Sequence, residues 1–165
     1  MKPFKQRIFV ALFFIAALSL PSMIAHARGS AQQVRSCFVV SVTDGDTLKA
    51  RCSGKILRVR LAEIDAPEMD QPFGPQSKQS LSEICAMRQA ELLVARKKDQ
   101  YGRLIARVSC DGVDANAEQV RRGMAWWYRQ HSRSAELRYL EFEARTSGQG
   151  LWSNPFSQEP PWEFR

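Results

Sequence analysis

The chain is 165 residues long, with 24 lysines and arginines against 17 aspartates and glutamates, an excess of seven positive charges. That length suits one domain around a single core, and a mild basic balance is compatible with a polyanionic partner without requiring one. Its two histidines and four cysteines, no two of the latter at Cys-x-x-Cys spacing, exclude the usual ligand arrangement of a zinc site.

The first seven residues, MKPFKQR, carry three positive charges and no negative one, Ile8 to Leu20 is apolar, and Ala25-His26-Ala27 has the small-x-small pattern of a cleavage site. Residues 1–27 therefore read as a secretory signal peptide cut near Ala27. The apolar stretch is too short to cross a bilayer, which takes about 20 residues of helix, so no stable membrane insertion is expected after cleavage. The remaining chain would be secreted or periplasmic. It keeps one histidine, His131, and a charge excess of four once Lys2, Lys5 and Arg7 have gone. A mechanism that needs two histidines is thereby excluded.

After a short segment, 28–36, the domain begins at Cys37. Cys37 to Thr43 and Thr47 to Cys52 are strand-like runs around the turn Asp44-Gly45, which predicts a β-hairpin. Cys37 lies seven residues before Asp44 and Cys52 seven after Gly45, so the two face each other across the hairpin. An even cysteine count in an exported chain favours disulfides. Cys85 with Cys110 is then the second pair, by elimination. Ile56 to Asp65 reads as a third strand, with Leu57, Val59 and Leu61 on one face and Arg58 and Arg60 on the other, pointing away from their apolar neighbours.

Phe73-Gly74-Pro75 then opens a helix over 75–88 with Leu81, Ile84 and Cys85 on one face. Glu91 to Lys97 and Leu104 to Cys110 are strands joined by the polar loop 98–103, and Asp111-Gly112 is a turn. Ala117, Val120 and Met124 mark a second helix stopped by Gly123; Leu137, Leu140 and Ala144 mark a third between a cap at Ser134 and a stop at Gly148. The domain would close at Trp152. Residues 153–165, rich in proline and aromatics, would form a tail packed on it.

The chemistry-bearing residues cluster by this reading. Asp46 starts the second strand and Asp65 ends the third, so an antiparallel meander brings them together across 19 positions of sequence. Two close carboxylates repel unless a cation sits between them, and oxygen ligands suit a hard ion such as calcium. Glu68, just past Pro67, is left as a base. Hydrolysis of a phosphodiester needs activated water, a neutralised phosphate and charge balance in the transition state; the arginine fork suits the last two tasks, and Arg60 and Arg103 are the candidates. Each residue also has a plainer role: a hairpin corner for Asp44 to Asp46, solvated surface for the arginines, a loop for His131. The run Trp126-Trp127-Tyr128 beside Arg129 suits either base stacking or a barrel edge.

Five strings in order, VTDGDTL, RVRLAEIDAPE, FGPQS, YGR and VRRGMAW, resemble the bacterial secreted thermonucleases of the staphylococcal nuclease family over about Cys37 to Trp152. The resemblance implies an α+β fold, a five-stranded OB-type β-barrel with three α-helices, acting as a monomer. It implies a calcium-dependent endonuclease that hydrolyses DNA and RNA to 3′-phosphate ends. Position by position it makes Asp46 and Asp65 the calcium carboxylates, Ala66 the donor of a backbone carbonyl, Glu68 the general base, and Arg60 and Arg103 the phosphate-binding arginines. Tyr101 matches a tyrosine near the bound nucleotide, and Tyr128 falls near a nucleotide-stacking one. Two departures stand out: the segment between Glu68 and Gly74 is shorter than in the staphylococcal enzyme, and the cysteines are absent there. The competing readings are a non-catalytic OB-fold nucleic-acid-binding module and a disulfide-braced domain that only binds calcium, which leaves both arginines unexplained.

Overall fold

The computed structural model describes residues 33–96 and 98–165; the expected signal peptide, its cleavage point near Ala27 and Lys97 lie outside the described residues. Three antiparallel strands come first: β1 Gln33–Val42, β2 Thr47–Cys52 and β3 Lys55–Leu61, with Phe38 opposite Arg51 and Thr47 opposite Arg60. Their inward residues, among them Val39, Leu48 and Val59, are fully buried, which is the physical reason for the period of two. The strand β4, Ile64–Asp65, and the helix α1, Gly74–Cys85, follow, then β5 Gln89–Arg96 and β6 Leu104–Cys110. β5 pairs with both β1 and β6, and β6 runs parallel to β3 with Arg60 opposite Ile105. That last pairing closes a five-stranded barrel and leaves it no open edge.

A short β7, Val113–Asp114, hangs on β6 outside the barrel, followed by α2 Ala115–Arg121, β8 Trp126–Trp127, α3 Ala135–Thr146 and a one-turn α4 Pro161–Phe164. The fold is thus the expected α+β barrel, with three helices and a short fourth. Both expected disulfides form, Cys37–Cys52 across the hairpin and Cys85–Cys110, the pair left by elimination. Ser134 caps α3 by accepting the N–H of Leu137. Among the described residues no helix is long and apolar enough to cross a membrane.

β5 starts at Gln89, two residues before the expected Glu91, and four further boundaries differ from the sequence reading. The first strand starts at Gln33, inside the segment expected to precede the domain, because Gln33 to Phe38 pair with β5. The first helix ends at Cys85 and not at residue 88, since Ala86 is extended and Met87 takes a left-handed φ of 59°. The second stops at Arg121, which puts Met124 beyond it. The third strand breaks at Ala62-Glu63, where Glu63 has φ 65°, and Asp65 resumes on β4, paired with Trp126 of β8. The apolar face changes parity there, from Leu57, Val59 and Leu61 to Ala62 and Ile64.

A buried polar clamp positions the region around the first hairpin. Gly45 packs so tightly that a Cβ there would stand 2.0 Å from Ser77 Oγ and 2.7 Å from the Ala66 Cβ. Gln119 of α2 donates to the carbonyls of Gly45 (2.7 Å) and Ser77 (3.1 Å), and Ser77 Oγ donates to the Met124 carbonyl (2.6 Å). Asn116, one turn earlier, donates to the Ala62 carbonyl (2.6 Å) and accepts the Val108 N–H (2.9 Å). α2 therefore fastens the hairpin corner, α1 and the turn after β3 to one another, and each of these main-chain groups would otherwise be buried at a cost.

Two outcomes follow for stability, both read by urea unfolding. Gly45→Ala should lose about 1–3 kcal/mol, the usual cost of forcing a methyl into a filled site. Replacing Cys85 and Cys110 together by alanine should lose about 2–5 kcal/mol, and dithiothreitol should then weaken that variant further by opening only the Cys37–Cys52 bridge.

Candidate active site

The hairpin corner sets Asp46. Asp44 accepts the Asp46 N–H at 3.1 Å in an Asx turn, which leaves the Asp46 side chain free to reach across to residue 66. Asp46 Oδ2 accepts the Ala66 N–H at 3.0 Å, and Oδ1 accepts from Thr47 Oγ1 at 3.0 Å. Asp65, only 1% exposed, is the second carboxylate. Between the two stands a single nitrogen: Arg60 Nη2 is 2.6 Å from Asp65 Oδ1 and 3.2 Å from Asp46 Oδ2.

Arg60 points out of the barrel as expected but is itself buried, at 9% exposed. Its Nη1 donates to the carbonyls of Leu61 (2.8 Å) and Ile64 (2.9 Å), and the break at Ala62-Glu63 is what turns the Ile64 carbonyl back toward it. Burial, and after it the charge of Asp46, pushes the Asp65 carboxyl up to about 6 in spite of the two arginines beside it. The same two causes raise Asp44 to about 6. The site is therefore one where carboxylates pay for desolvation and need cationic company.

Glu68 sits at the rim, its side chain 37% exposed. Its N–H donates to Gln71 Oε1 at 3.1 Å, and the main chain at Gly74 rests on the Glu68 carbonyl, where a Cβ would come within 2.0 Å. Arg103 does not join the carboxylate pair. It precedes β6, two residues before the partner of Arg60, and its Nε donates to Asp99 Oδ2 at 2.8 Å. Against burial, which raises it, the N–H and guanidinium of Arg103 hold the Asp99 carboxyl below the ordinary range. Tyr101, 66% exposed, places its ring 5.3 Å from the Arg103 guanidinium.

Tyr128 does reach the cluster, with its ring 6.0 Å from the Arg60 guanidinium. Its neighbour Trp126 does not: at 1% exposed it packs edge-on against Trp152 in a small second core. His131 meets the edge of Tyr128 at 4.6 Å. Three further residues line the site that the sequence reading did not place there. Gln71, 3% exposed, donates to the Glu159 carbonyl at 2.5 Å. Trp162 stacks on Tyr128, 5.4 Å between centroids and 9° between planes. Arg165 reaches both Asp65 and Glu68. The proline and aromatic content of the tail was the one available hint of the last two.

As a cation site, the cluster offers oxygen alone. Among the described residues no three Asp, Glu, His or Cys side chains converge, so an ion would draw on Asp46, Asp65 and main-chain oxygen, with water completing its shell. That donor set suits a hard ion and not zinc or copper. The pair is already held around one positive nitrogen, that of Arg60.

Residues 58–154, from β3 to just past Trp152, match the family model described as staphylococcal nuclease homologue. An uncharacterized endonuclease of Haemophilus influenzae is 41% identical over 131 residues, covering 78% of this chain and 72% of that protein. The micrococcal nuclease of Shigella flexneri is 37% identical over 138 residues, 77% of this chain and 78% of its own. A staphylococcal-like nuclease of Arabidopsis thaliana is 36% identical over 113 residues, 67% of this chain and 34% of the plant protein. With a closed barrel, a family match across most of its strands and helices, and relatives at this identity, the chain belongs to the staphylococcal nuclease family.

Proposed function

We propose that this protein is a calcium-dependent phosphodiesterase that cuts DNA and RNA internally and leaves 3′-phosphate ends. The observation that carries the reading is the buried Asp46–Arg60–Asp65 cluster with Glu68 at its solvent edge, in a chain whose relatives are named as nucleases. Glu68 is the general base. Open to water, it takes a proton from the attacking water as the new P–O bond forms and the bond to O5′ breaks. Asp46, Asp65 and the Ala66 carbonyl would hold calcium, which when bound supplies positive charge at the phosphate. Arg60 and Arg103 bind phosphate oxygens; Arg60 is the better fixed, since two main-chain carbonyls hold its Nη1 and pre-organise the fork.

Other features support a polyanionic strand as substrate. A cleft of about 550 Å³ lined by Arg35, Arg58 and Lys98, with Ile56, Leu57 and Leu104 as its apolar wall, reaches Gly102 beside Arg103. It contains no acidic residue, and Arg58 stands directly opposite Lys49 across β2 and β3, a like-charge pairing that a plain sheet disfavours. Tyr101 and Tyr128 are the candidate base-stacking rings. Two disulfides support work in an oxidising compartment, secreted or periplasmic.

The protein should nick and linearise plasmid and cut single-stranded DNA with calcium present and stop when the ion is chelated, with end analysis finding 3′-phosphates. Glu68→Gln, which keeps the shape and removes the base, should lower kcat by about 10²–10⁴-fold while leaving DNA binding intact. Arg60→Lys should fall by a similar order, because a point charge cannot replace a two-pronged donor. Tight DNA binding without cutting under any of these conditions would instead favour the non-catalytic binding module. Cutting that survives chelation would remove the ion from Asp46 and Asp65.

A further inference from the structure

The segment 159–165 lies across the site and is fastened at three points. Gln71 Nε2 donates to the Glu159 carbonyl while its Oε1 accepts the Glu68 N–H, so one buried side chain joins the segment to the base. Trp162 stacks flat on Tyr128. Arg165 then closes the site: Nη2 is 2.5 Å from Asp65 Oδ2 and Nη1 is 3.1 Å from Glu68 Oε1.

We propose that this segment is a strap whose Arg165 competes with the divalent cation for Asp65, so that binding of the ion releases it. The proposal rests on the cation role given above to Asp46 and Asp65. Both oxygens of Asp65 are occupied by guanidinium, Oδ1 by Arg60 and Oδ2 by Arg165. A dication on the same carboxylate would stand at ion-pair range of two positive groups, and one of them has to leave.

The surroundings decide which. Arg60 is buried and donates to two main-chain carbonyls as well as to Asp65. Arg165 has a side chain 47% exposed, and beyond Asp65 and the half-exposed Glu68 it makes a 3.2 Å hydrogen bond from Nε to the Pro161 carbonyl within the strap itself. Water can take over what Arg165 loses, and cannot easily do so for Arg60. Departure of Arg165 also frees Glu68 Oε1, the oxygen that must accept a proton. Trp162 covers a face of Tyr128 that a nucleic-acid base would otherwise use. The strap thus occupies the ion position, the base and a stacking ring together, and a single exchange at Asp65 would uncover all three.

The test is calcium binding by isothermal titration calorimetry to the intact protein, its Arg165→Ala variant and an Arg121→Ala control that removes one charge away from the site, where Arg121 pairs with Glu118. Arg165→Ala should bind calcium about two- to fivefold more tightly, the range that an ion pair with one half-exposed partner can oppose, and Arg121→Ala should match the wild type. Hydrogen exchange should show the amides of 159–165 losing protection when calcium is added to the wild type. Equal or weaker calcium binding by Arg165→Ala, or a strap whose protection calcium leaves unchanged, would overturn the strap alone. A wild type that binds no calcium would overturn both the strap and the cation role of the carboxylate pair.

Discussion

Everything at the mouth of this barrel depends on one guanidinium placed between two carboxylates. Asp46 and Asp65 are both buried, and two such charges side by side in a poorly solvated site repel strongly unless a cation separates them. Arg60 supplies that charge at 2.6 and 3.2 Å. It can do so only because β3 stops at Leu61 and the chain turns back at Glu63 to offer the Ile64 carbonyl. A buried ion cluster of this kind is weak as a source of stability, since desolvation offsets most of the attraction. Its worth lies in geometry: it keeps acidic oxygens aimed at one point that positive charge can occupy.

The rest of the fold maintains that point. Asp46 lies in the corner just before β2, β3 carries Arg60 and β4 carries Asp65, and the three meet because Gly45 lets the hairpin corner touch Ser77 and Ala66. α2 contributes no charge to the site, yet through Gln119 and Asn116 it holds the carbonyls of Gly45 and Ala62 on either side of it. The barrel closure between β3 and β6 sets Arg103 near Arg60, and Asp99 then fixes the direction of Arg103. The buried amides and disulfides thus hold the frame, and the carboxylates and arginines are held by it.

Much of this was legible in the sequence where the cause is local. The Asp-Gly turn, the strand alternation of Thr47 to Cys52 and Leu104 to Cys110, the Ser134 cap and the cysteine symmetry each depend on neighbours a few residues away. The meeting of Asp46 with Asp65 was also legible, although the expected route, a continuous third strand, was wrong in detail. What could not be read depends on distant chain. Arg60 looked solvent-facing because the groups that bury it, Tyr128 and the carboxylates, come from other elements. Gln33 to Ser36 look like an unstructured lead-in until β5 is there to pair with them. Arg165 lies 100 residues from Asp65, and nothing in its own surroundings marks it as part of the site.

The proposed cation would rest on Asp46 and Asp65 beside Arg60, at the Asp65 oxygen that Arg165 holds. Crystals grown with manganese in place of calcium, and measured at the manganese absorption edge, test that placement directly, because a hard divalent ion with oxygen ligands shows itself as an anomalous peak. One peak in contact with Asp46, Asp65 and the Ala66 carbonyl is the predicted result, with Arg165 moved off Asp65. A peak elsewhere, or none while Arg165 keeps its place, would contradict it.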